Sequence, residues 1–310
     1  ESVKTNVVLT LVELSGLLLV ILLGFYAIAG GQADFSRVVA FDTPEDKSVF
    51  LAITSATALA FYAMVGFEDS VNMAEETHDP NRIFPKVLLT GLGLTATIYV
   101  LVSICAVALI PVGELASSST PLVLVVKRAA PGLPMEVIMP VISMFAVANS
   151  ALINMMMASR LLYGMSRQGV LPSFLSHVHA RTQTPWTAIL FTTVLAVGLI
   201  VLVSAASDSE AIRALGGTTA LLLLGVFAFV NVAVLLLRGD RVGHPHFRTW
   251  TPLAVLGAVV CLFMVTPFTG RDPIQYEVAG WLLALGVVMW GVTYLARRRE
   301  AARLDPESLG

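Results

Sequence analysis

Residues 48–77 read SVFLAITSATALAFYAMVGFEDSVNMAEET. The first half is apolar enough to enter a membrane; at Gly66, Phe67, Glu68 and Asp69 the character changes. One helix through the whole stretch would reach roughly 45 Å, well beyond the ~30 Å hydrocarbon slab of a bilayer. Either the helix leaves the bilayer near Glu68, or it breaks at Ala63–Gly66 and continues as a second half. Bare backbone groups at membrane depth are tolerated only beside protein or a water-filled cavity, so a break would mark a place where a solute can be held.

The rest of the chain fits a membrane setting. Of the 310 residues 56% are hydrophobic and 13% charged, about half the charge of a soluble domain, and mean hydropathy is +0.83. A net charge of −2 argues against a nucleic-acid partner. Cys105 and Cys261 both lie in apolar runs and read as small buried hydrophobes, not a disulfide framework. The pairs His177–His179 and His244–His246 fall in polar connections without a cysteine or carboxylate at a metal-site spacing, and read as solvated loop histidines. No metal or cofactor is expected. The chain starts at Glu1 and enters an apolar run almost at once; that run is too long for a signal peptide. The chain is therefore expected to be the later part of something longer.

Eight runs are long enough to cross: Asn6–Ala29, Ser48–Thr77, Pro85–Ile110, Met135–Arg167, Pro185–Ala206, Glu210–Leu237, Trp250–Phe268 and Glu277–Ala296. All are expected to be helical, since an open sheet edge cannot be satisfied in lipid. Pro121–Val126 is too short to cross and reads as a surface helix or re-entrant piece. Alternating sides places thirteen Lys and Arg on one side and six on the other, the full nineteen. The richer side is cytoplasmic, which puts both termini, and a tail over 297–310, in the cytosol of a multi-pass protein among membrane lipid.

Three runs carry polar features. Glu13 lies about two turns inside the first, at an insertion cost of about 2.5–3.5 kcal/mol; it is either functional or snorkels to the interface. Asn149 and Asn154 sit at mid-depth in the fourth run, five residues apart, so at least one is expected to face a protein or water-filled interior. Gly216-Gly217-Thr218-Thr219 opens the sixth run, a pattern that close helix packing explains, with a solute contact as the alternative. Between runs two and three, Asp79-Pro80 stops one helix and Pro85 suits the first turn of the next.

Enzyme signatures are missing. There is no Gly-x-Ser-x-Gly elbow, Walker loop or His-Glu-x-x-His, and the acids Glu68, Asp69, Glu75 and Glu76 have no matching base or metal ligand nearby that forms a known catalytic motif. The chain is read as not an enzyme. If the second run unwinds across Tyr62-Ala63-Met64-Val65-Gly66, the freed carbonyls at the end of its outer half suit an ammonium or a small cation. Gly66 lets the backbone turn, Tyr62 and Phe67 supply aromatic walls, and Glu68 starts an amphipathic half-helix carrying Val71 and Ala74.

The run FYAMVGFEDSVNMAEETHDPNRIFPK resembles the sixth helix and following loop of amino acid permeases of the amino acid–polyamine–organocation superfamily. MMMASRLLYGMSRQGVLP resembles the end of that family's eighth helix, and the hydropathy of the whole chain fits helices five to twelve. The resemblance implies a partial leucine-transporter-type fold: all-α, eight transmembrane helices, part of a 5+5 inverted repeat, with the second helix of this chain broken. It implies a secondary active transporter in the cell membrane, moving an amino acid or related amine by alternating access. The carbonyls of Tyr62, Ala63 and Val65 would hold the substrate's ammonium, with Met64, Gly66, Phe67 and Asn154 lining the site. Glu68 falls where some members sense protons. Glu13 falls where several proton-coupled members carry lysine, which leaves either H+ or Na+ as the coupling ion. The broken first helix and the next three of the family have no counterpart here, so the chain alone is expected not to transport. The rival expectation is a non-transporting scaffold or binding component of the same fold.

Overall fold

The computed structural model describes residues 2–40, 48–68, 70–71, 77–118, 120–206, 211–239, 243 and 247–303. Asp69, Glu75, Glu76, His244, His246 and residues 304–310 lie outside these, as does most of the half-helix expected after Phe67. The ten α-helices among the described residues are α1 (Ser2–Ala29), α2 (Val49–Ala63), α3 (Pro80–Leu109), α4 (Val112–Ser117), α5 (Pro121–Ala129), α6 (Met135–Arg167), α7 (Trp186–Ala206), α8 (Ala211–Leu236), α9 (Thr251–Val265) and α10 (Pro273–Arg303).

Among the described residues six helices are long and apolar enough to cross a bilayer: α1, α3, α6, α7, α8 and α10. The second and seventh expected spans correspond to the 15-residue helices α2 and α9, each short of the ~20 residues a perpendicular crossing needs. Among the helix starts and ends that differ from the sequence reading, two concern the long helices α3 and α10. Helix α3 begins at Pro80, with Asp79 in the left-handed region at φ 48, so Pro80 takes the first-turn position assigned to Pro85 and Pro85 lies inside the helix. Helix α10 starts at Pro273 and runs on to Arg303, past the expected tail boundary at 297; Arg, Glu and Ala there are all good helix formers.

The chain divides into two compact units. The first comprises Glu1–Pro44 and Glu76–Ile153. Its core joins Val20, Ile21 and Ala27 of α1, Val102 and Leu109 of α3, Val125, Val126 and Ala129 of α5, and Met135 and Met139 of α6. Small residues set the spacing. A Cβ on Gly24 would fall 2.8 Å from Cys105 of α3, and one on Gly16 would fall 2.8 Å from Ile142 of α6, so glycine brings the helices together where lipid offers no hydrophobic drive. The short apolar patch becomes α5, an amphipathic helix with Val125, Val126 and Ala129 buried and Lys127 and Arg128 in its last turn. After α1 the Asp34 N–H bonds the Ala108 carbonyl at 2.8 Å.

The second unit comprises Glu45–Glu75 and Asn154–Gly310. Here α8 is the hub, packing on α2, α7, α9 and α10. Its glycines and Gly257 of α9 admit side chains instead of helix backbones. Tyr62 of α2 lies 3.0 Å from where a Gly216 Cβ would be, Gln275 of α10 2.2 Å from that of Gly217, and Asn231 of α8 2.8 Å from that of Gly257. Phe227 of α8 meets Phe61 edge-on at 6.0 Å between centroids and Phe67 at 5.5 Å.

Candidate functional site

Helix α2 starts at Ser48, whose hydroxyl accepts from the Leu51 N–H at 3.3 Å, an ordinary N-cap. It ends at Ala63, inside the apolar run. Met64 is the C-cap at φ −94 and ψ −5, and its N–H bonds the Phe61 carbonyl at 3.0 Å. The Val65 N–H bonds the Tyr62 carbonyl at 3.1 Å, and Gly66 follows at φ 122. Only glycine adopts that conformation cheaply, and nothing lies within 4 Å of where its Cβ would be. The helix therefore ends where the sequence places the break.

The carbonyls do not all behave as expected. The Tyr62 carbonyl, expected to be unpaired, closes the turn with the Val65 N–H and keeps only its second lone pair. Among the described residues no backbone N–H bonds the carbonyl of Ala63 or Val65. Ala63 is exposed; Met64, Val65 and Phe67 are half-buried. Glu68 folds back so that Oε2 accepts from the Gly66 N–H at 2.8 Å. That contact occupies a backbone donor at the turn and sets a half-buried carboxyl beside it. The cluster thus holds backbone acceptors, a carboxyl and two aromatic rings, the chemistry that suits a cationic amine.

Glu13 lies in the first unit, half-buried on α1, and accepts from the Asn149 amide of α6 at 3.0 Å. Asn149 is therefore the buried one of the two asparagines, while Asn154 is exposed on the part of α6 that belongs to the second unit. Among the described residues no three His, Cys, Asp or Glu converge as metal ligands.

Sequence reasoning missed a buried polar cluster in the second unit. Arg271, in the connection between α9 and α10, is only 8% exposed. Its Nε donates to the Met264 carbonyl at 2.8 Å, and its Nη1 to the Gly217 carbonyl at 3.1 Å and to Oε1 of Gln275 at 3.0 Å. Thr218, 3% exposed, donates to the Ala214 and Gln275 carbonyls. Thr54 of α2 donates to the Thr269 carbonyl at 3.3 Å. Burial pulls the Arg271 pKa below the usual arginine value, yet a guanidinium stays protonated in proteins. Its Nη2 is buried with no partner among the described residues, an arrangement that costs about 1–3 kcal/mol or more for a charged group. No spacing signal marked it: Arg271 lies ahead of the Pro273 helix start, so helical periodicity does not relate it to Gln275.

The sequence profile of the amino acid permease family matches residues 1–292. The chain is 28% identical to the branched-chain amino acid permease BcaP of Bacillus subtilis over 247 residues, covering 78% of this chain and 50% of that protein. It is 30% identical over 278 residues to an uncharacterized transporter of Mycobacterium tuberculosis, covering 88% and 58%. It is 25% identical over 271 residues to cationic amino acid transporter 7, chloroplastic, of Arabidopsis thaliana, covering 86% and 43%. The chain thus spans about half the length of the curated relatives it matches. With its all-helical architecture and six long apolar helices, it is a multi-pass membrane protein and belongs to the amino acid permease family.

Proposed function

We propose that this chain is the C-terminal portion of a secondary transporter that moves an amino acid or a related amine by alternating access. The observation that carries the reading is the end of α2 at Ala63, followed by the Gly66 turn, inside an otherwise apolar run. Carbonyls there bind the ammonium of the substrate, Tyr62 and Phe67 cover it, and Met64, Gly66 and Asn154 complete the lining. The second lone pair of Tyr62 contributes alongside the Ala63 and Val65 carbonyls. Glu68, tied to the Gly66 N–H, couples protonation to the shape of the turn. Glu13, held by Asn149, carries the coupling H+ or Na+.

In this reading α2 and α9 complete their crossings with the segments beside them, giving eight membrane passes in a partial 5+5 inverted-repeat fold. Both ends of the chain face the cytoplasm of a cell membrane. Substrate carboxylate recognition needs helices that precede this portion in the longer relatives. The 310-residue chain alone in proteoliposomes should accumulate no radiolabelled amino acid, while a protein with the four further helices ahead of it should take up a subset of an amino acid panel. Accumulation by the short chain alone would overturn the division of labour, and failure of the long form across amino acids and amines would overturn the assigned function.

A further inference from the structure

A cavity of about 550 Å³ opens in the second unit, apart from the α2 turn, and is lined by Ser55 and Leu59 of α2, Arg213 and Gly217 of α8, and Arg271, Asp272 and Gln275 around the start of α10. Its charged lining is two arginines and one aspartate, and Asp272 spends Oδ1 on the Ile274 N–H at 3.1 Å, capping α10. Among the described residues no carboxylate forms an ion pair with Arg271. We propose that this cavity binds a compact anion, a small carboxylate or a halide, with the Arg271 guanidinium as its anchor.

Arg271 meets three backbone and side-chain acceptors through Nε and Nη1, which fixes its plane and leaves Nη2 buried without a partner among the described residues. A side chain needed only to clamp the connection would not require a buried positive charge with two spare donors. With its plane fixed, the guanidinium keeps only the Nη2 donors for an anion, a single-nitrogen contact that suits a compact oxyanion or halide. Nη2 is covered in this state, so occupancy makes the cavity wall give, and the bound form differs locally from this one. Gly217 belongs to the same site, since any Cβ there would strike Gln275 and with it the Arg271 plane.

The proposal is independent of transport and is tested on the 310-residue chain in detergent. Binding of 14C-acetate is measured at fixed ionic strength, with unlabelled acetate and chloride as competitors. Acetate should bind saturably, and Arg271→Gln should weaken it about tenfold or more, the loss of a charge-assisted hydrogen bond. Ser55→Asp, which places a carboxylate in the cavity without touching the Arg271 contacts, should abolish binding while helicity and elution stay unchanged. Displacement of the label by chloride assigns a general anion site; displacement by acetate alone assigns a carboxylate site. Absence of saturable binding to the unsubstituted chain, or wild-type binding in the well-folded Ser55→Asp protein, overturns it.

Discussion

The Asn149 amide donates to the Glu13 carboxyl at 3.0 Å, joining α6 to α1 across 136 residues of sequence inside a largely apolar unit. An interhelical hydrogen bond of this kind in a membrane is worth about 0.6 kcal/mol on average and up to ~1.7 kcal/mol. A double-mutant cycle with Glu13→Gln and Asn149→Ala, read by thermal unfolding in detergent, should return a coupling in that range. Zero coupling would show that the two residues do not sense each other. In a transporting form, Glu13→Gln should also change the dependence of uptake on pH or Na+, while a neutral helix-packing change such as Leu18→Ile should not.

Gly66 carries a φ of 122 with open space where a side chain would go. Its substitution is a backbone problem, not a steric one. Gly66→Ala should therefore cost about 1–3 kcal/mol in stability, and Gly66→Leu should abolish uptake while membrane insertion is preserved. Normal uptake by the leucine variant would remove the turn from the transport mechanism.

Gly217 and Gln275 compete for the same space, 2.2 Å apart once a Cβ is added. Gly217→Ala should lower stability by about 1–3 kcal/mol, as overpacking does. The same substitution in a Gln275→Ala background should cost much less, since the obstructing amide is gone. Gly216→Ala, 3.0 Å from the Tyr62 ring, should be milder than Gly217→Ala. Equal penalties in both Gln275 backgrounds would contradict the contact.

Asp34 sits in the connection after α1, where the Ser36 hydroxyl and then its N–H hold the carboxyl below the usual aspartate value, with Arg37 adding a smaller contribution. Because the folded value lies below the unfolded one, the associated stabilisation is present above the unfolded pKa and disappears as pH falls through the folded pKa. Ser36→Ala should raise the Asp34 titration midpoint in a carboxyl NMR titration, whereas Arg37→Gln should move it less. The reverse order would assign the shift to charge instead of hydrogen bonding.

Much of the architecture could be read locally. The bounds of α6, α7 and α8 follow from apolar runs, while Gly66 marked one of the two places where the second run could end. Helix lengths were less legible. Ser48–Thr77 and Trp250–Phe268 are apolar enough to suggest full spans, but hydropathy does not register where backbone geometry ends a helix, so α2 and α9 prove shorter.

By itself, then, the sequence determined the class of the molecule and its apolar segments, because each depends on residues that are neighbours in the chain, while it left the second run either broken at Ala63–Gly66 or leaving the bilayer near Glu68. Only the tertiary structure decided that Glu13 meets Asn149 and that Arg271 reaches Gly217 and Gln275. The physical reason is that helices apolar on all sides carry no stripe to mark their inner face. In lipid the choice of partner falls to small residues and to the few polar groups that must find one another.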